Sequence, residues 1–296
     1  MSDLQGRVVV ITGAARGIGR AYVRAFLAEE AKVVAMDRSW EPSGFSSDTD
    51  SSFLNEIKAL SGDVLVATAD ISDAHQVDSA YQATLKKFGT VDVLVNNASM
   101  RQRDLFPPTG RVTTLETTDS DWERMFGVGV FGTLKVTRAF IQPMLEKQRG
   151  SIISLISGGA LHQSQGGAYV AMRSNSLEMP YQSAKSALLC MMFYLADEVK
   201  EQNVAVNTLV PGNTRTTGYD EQNAARPAMG MNRNRLGRIT QRPEHIVPVT
   251  LFLAQQDAAG GVTGKCFDTL TWNLEHGLGD PSKLADPDAV PPQGTT

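Results

Sequence analysis

Tyr181 and Lys185 stand four residues apart in Pro180-Tyr181-Gln182-Ser183-Ala184-Lys185, a stretch that reads as the first turns of a helix with Pro180 at its start. That spacing puts a phenol and an ammonium on one helix face. A phenol titrates near about 10 and is a poor base at neutrality. Bringing it to about 7 or 8 needs about 3 to 4 kcal/mol of preferential stabilisation of the phenolate, within reach of two close cations. Lys185 supplies one of them. Ser157, at the end of the apolar run Gly150–Ile156, offers a hydroxyl that can donate to a developing alkoxide. These residue types suit proton transfer to or from the oxygen of an alcohol or ketone.

A second chemical feature lies at the other end of the chain, in Arg7–Gly19 (RVVVITGAARGIG). Val8–Ile11 is a β-branched run suited to a strand buried on both faces. Gly13, Gly17 and Gly19 follow, with Arg16 and Ile18 between them, and Arg20–Glu30 reads as a helix. A glycine turn from a strand into a helix N-terminus points backbone N–H groups and the positive end of the helix dipole at an anion, here a pyrophosphate. The next strand, Lys32–Asp37, ends in a carboxylate placed to accept both hydroxyls of an adenosine ribose and to repel a 2′-phosphate. Asp37 therefore favours NAD over NADP. Arg16 and Arg38 pull the other way, since either can meet a phosphate. Asp37 as a turn-capping aspartate is the alternative.

The elements that must position these groups alternate along the chain. Val64–Ala69 is a third strand leading to Asp70-Ile71; Asp70 suits an adenine amino group or, equally, a solvated loop. Helix Ala74–Phe88 follows, then strand Val91–Val95, which runs into Asn96-Asn97-Ala98. Adjacent amides there can tie strand ends together and bond a ribose. A long helix is expected from about Asp121 to Gln148, then strands Gly150–Ile156, Asn203–Val210 and Val262–Asp268, with helix Pro243–Gln255 before the last. Seven strand–helix alternations predict an α/β fold, a single doubly wound, Rossmann-type parallel sheet with helices on both faces. One domain over residues 1–276 suffices, and residues 277–296 form a Pro-rich tail. The net charge of −4 with no basic stripe excludes a nucleic-acid partner, and no run reaches transmembrane length. The start lacks an apolar signal region, and Cys190 and Cys266 fall in apolar patterns, read as buried free thiols of a cytoplasmic protein. The scattered histidines and distant cysteines form no metal-ligand cluster.

Taken together and in order, Thr12-Gly13-x-x-x-Gly17-x-Gly19, Asn96-Asn97-Ala98, Ser157, Tyr181-x-x-x-Lys185 and Pro211-Gly212 with Thr216 resemble the ordinary, non-extended branch of the short-chain dehydrogenase/reductase family over about residues 5 to 270. The resemblance implies that Tyr181 is the proton donor or acceptor and that Ser157 holds the substrate oxygen. It also implies that Lys185 binds the nicotinamide ribose and lowers the tyrosine's pKa, and that Thr214 and Thr216 lie against the carboxamide. A homodimer or homotetramer is implied in the same way. The chain departs from the family pattern in its Ser157–Tyr181 spacing, about ten residues longer than usual. Tyr169, followed by Arg173, stands nearer the usual distance, but Tyr-Gln-Ser-Ala-Lys-Ser-Ala-Leu matches the family helix and arginine does not replace lysine conservatively. Gly129 occupies the position, seven after Trp122, where the family carries an asparagine. Asp268-Thr269-Leu270 replaces its aspartate-glycine-glycine.

Insertions at Met100–Thr118, Gly159–Met179 and Thr217–Arg235 converge on the mouth of the expected site. Leu161, Met172, Leu177, Met179, Met229 and Met231 suit a bulky apolar or aromatic substrate. Arg101, Arg103, Arg111 and Arg173 suit a carboxylate or phenolate on it, or are simply solvated; His162 reads as incidental. The expected activity is an NAD-dependent alcohol dehydrogenase or ketone reductase acting on a cyclic or aromatic secondary alcohol. The alternative is a non-catalytic dinucleotide sensor on the same fold.

Overall fold

The computed structural model describes residues 3–41, 52–59, 63–107, 110–164, 177–216, 219 and 241–278. Tyr169, Met172, Arg173, Met229, Met231, the side chain of His162 and the tail from 279 lie outside them. Strands β1 (Val8–Thr12), β2 (Lys32–Asp37), β3 (Val64–Thr68), β4 (Val93–Asn96), β5 (Gly150–Leu155), β6 (Val204–Val210) and β7 (Cys266–Asp268) form one parallel sheet in the order β3-β2-β1-β4-β5-β6-β7. The order reverses between β1 and β4, which opens a crevice at the carboxyl ends of the strands, where ligands bind in such sheets.

Alternation along each strand divides the core in two. Val8 and Val10 of β1 join Leu94 and Ile152 on one face, packed under the Ala74–Phe88 helix and the Tyr181–Val199 helix. Val9 and Ile11 join Val93 and Ile153 on the other, under α1 (Gly17–Ala28), where Tyr22, Val23 and Phe26 are fully buried. Both faces are apolar because both carry helices, as a wholly parallel sheet requires.

The expected helix from Asp121 to Gln148 is present as a helical run from Asp119 to Glu146, with a π-helical stretch inside it and a turn at Ile141. Asp119–Phe126 is followed by a π-helical stretch, Gly127–Gly132, then by Thr133–Phe140 and Gln142–Glu146. Glycines at 127, 129 and 132 leave the backbone free to widen there. The last strand starts at Cys266 rather than Val262, and Asp268 caps the following helix, Thr269–Glu275, by accepting from Thr271 N–H at 3.0 Å. The cysteines also correct the expectation: Cys190 is exposed and Cys266 only partly buried. Cys190 shares an outward helix face with Phe193 and Tyr194, which nothing among the described residues covers. No helix among the described residues is long and apolar enough to cross a membrane.

Candidate active site

The glycine turn leaves β1 through Gly13 (φ +67°) and enters α1 at Gly17 (φ +54°). Its glycines have different physical reasons. A Cβ on Gly13 would lie 2.9 Å from Ala98 Cα, whereas one on Gly19 would lie 1.9 Å from the Gly13 carbonyl oxygen. Gly19 thus lets α1 pack onto the turn and faces away from the crevice. The turn is pinned from β4: Asn97 Nδ2 donates to the Thr12 and Gly13 carbonyls at 2.9 and 3.0 Å. Thr12 Oγ1 accepts from the N–H groups of Asn97 and Ala98 at 3.1 and 3.0 Å. Asn96 ties β4 to its surroundings through Thr137 and Ser154.

Asp37, nearly buried at the end of β2, accepts from Ala15 N–H at 2.9 Å and from Ser39 N–H at 3.3 Å. It therefore holds the turn while lining the crevice, and a carboxylate retains further acceptor sites beyond those two. Asp70 accepts from Ser72 N–H and Oγ at 2.8 and 2.7 Å, which fixes the local turn and leaves the residue on the crevice wall.

These residues line a cavity of about 330 Å³ together with Tyr181 and Lys185 from the helix on the opposite side. Arg16, Ile18, Arg38, Ile71, Asn97, Ala98, Pro211, Gly212, Thr214 and Thr216 also face it. Of the expected site residues, Gly19 and Ser157 do not. Ser157 stands two residues past the end of β5, where its Oγ accepts from Gly159 N–H at 3.4 Å; its neighbour Ile156 reaches the cavity. Ser99, Met100, Arg101, Asp104 and Val128 line the cavity as well. The first three follow directly after Asn97-Ala98, so adjacency to that block is the available signal.

Lys185 is buried, and its Nζ donates to the Leu155 carbonyl at 2.8 Å. Burial pulls its ammonium down to about 8. The Nζ lies 5.8 Å from the centre of the Tyr181 ring. The Tyr181 hydroxyl is pushed above its ordinary value by burial and then by the Glu178 carboxylate. In the chain by itself burial is the largest influence on the phenol, and it opposes the lowering expected from nearby cations.

Gly129 is buried in the π-helical stretch, and a Cβ there would meet Ala184 Cβ, beside Lys185, at 3.6 Å. Its carbonyl accepts from Thr133 Oγ1 at 3.1 Å. Among the described residues no group of His, Cys, Asp and Glu is placed to hold a metal ion.

A doubly wound sheet with a glycine turn at its switch point and a tyrosine–lysine pair across the crevice defines a Rossmann-type protein with an enzyme-like cleft. The profile of the family described as short chain dehydrogenase matches residues 7–227, and the chain belongs to that family of oxidoreductases. Its members use the nicotinamide cofactors NAD or NADP and act on small molecules. The chain is 45% identical over 289 residues to fluoren-9-ol dehydrogenase of Terrabacter sp. (strain DBF63), covering 98% of this chain and 78% of that protein. It is 29% identical to 3-oxoacyl-[acyl-carrier-protein] reductase of Thermotoga maritima, covering 88% and 95%. A short-chain type dehydrogenase/reductase from Mycobacterium marinum superposes with a TM-score of 0.69 at 22% identity, covering 90% of this chain and 94% of that one, a likeness of fold.

Proposed function

We propose that this chain is an NAD-dependent dehydrogenase of a cyclic or aromatic secondary alcohol, working reversibly as a ketone reductase, with Tyr181 as the general acid/base. The observation that carries the reading is the meeting of Tyr181 and Lys185 with the glycine turn and Asp37 around one cavity. The donor set fits a nicotinamide dinucleotide. Side-chain-free Gly13 and Gly17 leave the turn's backbone open to a pyrophosphate, Arg16 adds a cation beside it, and Asp37 retains acceptor sites for ribose hydroxyls. Arg38, Asp70, Ile71, Asn97 and Ala98 would flank the adenosine and central portions, and Pro211, Gly212, Thr214 and Thr216 the nicotinamide end.

The bound cofactor supplies the hydride acceptor for oxidation, or its donor for reduction. In oxidation, Tyr181 Oη as phenolate takes the substrate hydroxyl proton as the carbinol C–H bond breaks; in reduction the phenol returns it to the carbonyl oxygen. Lys185 as ammonium favours the phenolate, and Ser157, two residues past β5 and next to Ile156 of the cavity wall, would donate to the substrate oxygen. The relative named for fluoren-9-ol, a secondary alcohol on a fused aromatic system, supports a ring-shaped substrate, as do Met100 and Leu155 on the cavity wall. The uncovered face with Phe193 (39% exposed) and Tyr194 (70%) supports a homodimer or homotetramer.

Nicotinamide absorbance at 340 nm tests the reading, with fluoren-9-ol and other cyclic alcohols and NAD and NADP in parallel. Turnover with NAD, lost by about 1,000-fold or more in Tyr181→Phe while NAD binding stays within a few fold, is expected. NAD binding with no turnover on any alcohol would instead favour a sensor, a reading that the small residue at Gly129 supports.

A further inference from the structure

The helix that carries Tyr181 begins without a local cap. Its N-cap position is Pro180, which has no side-chain oxygen to accept from the first-turn N–H groups and no N–H of its own. The missing partner comes from 79 residues away. Gln102, 9% exposed at the start of the short helix Gln102–Leu105, accepts from Tyr181 N–H through Oε1 at 3.1 Å. Its Nε2 donates to the Met179 carbonyl at 2.5 Å. One side-chain amide therefore grips the backbone on both sides of Pro180, using the donor and the acceptor that the proline leaves unmatched.

The segment bearing Gln102 is itself anchored. Arg101 and Asp104 pair at 2.6 Å, and Asp104 also accepts from Arg101 N–H at 2.8 Å. Gly110 (φ +76°) packs where a Cβ would lie 2.8 Å from Arg103 N. Val112 makes a parallel bridge to Glu178, a second attachment to the approach to the helix. Arg101 and Asp104 line the same cavity as Tyr181. The amide thus joins the wall that follows β4 to the residue that carries the phenol.

We infer that Gln102 is a positioning residue, whose side-chain amide caps the Tyr181 helix from a distant segment and sets where the phenol stands relative to Lys185 and the substrate oxygen. The inference rests on the reading of Tyr181 as the acid/base. A helix free to rotate or fray at its first residue would displace Oη, and about 1 Å of displacement at a reacting group costs about 100-fold in rate. The amide is required for its two ends. Methionine, similar in length, fills the space but neither donates nor accepts, and glutamate keeps the acceptor but places a carboxylate oxygen against the Met179 carbonyl.

The test is steady-state kinetics of the full chain with Gln102→Met and Gln102→Glu, the parent and Tyr181→Phe, each with its pH profile of kcat, NAD dissociation constant and melting temperature. The expected result is a fall in kcat of about 10- to 100-fold in Gln102→Met, a displaced pH profile, and NAD binding within about threefold of the parent. Gln102→Glu should lose at least as much activity at neutral pH, because its carboxylate keeps the bond from Tyr181 N–H but repels the Met179 carbonyl. Parental kcat and pH profile in Gln102→Met, beside an inactive Tyr181→Phe, would overturn the clamp alone. So would a loss of activity that follows NAD binding and melting temperature with the pH profile unmoved, the mark of general packing. Sustained turnover in Tyr181→Phe would remove the reading beneath it instead.

Discussion

The glycine turn after β1 and the start of the Tyr181–Val199 helix face each other across one cavity, and each opens a helix. They are built in opposite ways. The turn spans a few residues, and its conformation follows from glycines at fixed spacing, with β4 closing on it through Asn97 and Thr12. The helix start lies 24 residues beyond Ser157 and is tied to Gln102 and, through Val112, to residues beyond it. A phosphate cradle is made of backbone, which residue type can prescribe. An acid/base must be one side chain in one place, and contacts between distant segments prescribe that.

Changes on the two sides should separate accordingly. Gly19→Ala should have the largest effect, since its Cβ would fall 1.9 Å from the Gly13 carbonyl oxygen and backbone must move. A loss of about 3 kcal/mol or more in urea unfolding is expected, with NAD binding lost in parallel. Parental stability would mean that the turn is as adaptable as the opposite wall.

Next comes Lys185, whose folded value of about 8 lies below its ordinary 10.5. Below pH 8 both the folded and unfolded chains carry the charge, and the full cost of burying it is present. Between 8 and 10.5 the folded lysine is neutral while the unfolded one still binds a proton, so the parent gains stability as pH rises. The stability of Lys185→Met relative to the parent should therefore fall by about 2 to 3 kcal/mol between pH 7 and pH 10, read from urea midpoints. A flat difference would show that the ammonium is solvated and the Tyr181–Lys185 wall more open than its packing indicates.

Asp37→Ser should shift the NAD-to-NADP preference by about 10- to 100-fold in kcat/KM, as charge repulsion toward a 2′-phosphate is removed. An unchanged ratio would assign selection to Arg16 and Arg38. The smallest effect is expected at Gly129→Ala. Its Cβ meets only Ala184 Cβ at 3.6 Å, so the variant should gain about 0.5 to 1 kcal/mol from the reduced freedom of the unfolded chain. The contrast with Gly19→Ala, one glycine packed behind the turn and the other behind the Lys185 helix, is the sharpest form of the comparison.

Strand runs, the glycine turn and the Tyr-x-x-x-Lys pair were legible because each is written in residue type over a short window. The π-helical stretch inside the expected Asp121–Gln148 helix is harder to read, since glycines at 127, 129 and 132 permit the widening without requiring it. Apolar periodicity around Cys190 marks a helix face without saying whether anything covers it, and the face is exposed. Gln102 sits amid arginines in an irregular segment, and nothing about a glutamine there announces a cap for a helix 79 positions away.

By itself the sequence determined the parallel sheet, the glycine turn, the acidic end of β2 and the membership of the pair Tyr181 and Lys185 on one helix face. These follow from local patterns of volume, polarity and backbone freedom. Only the tertiary structure decided that Gly19 serves packing rather than the crevice, that burial raises the phenol and lowers the ammonium, and that a distant amide holds the helix start. Desolvation and long-range hydrogen bonding depend on what surrounds a residue in space, and neighbours in sequence do not specify that.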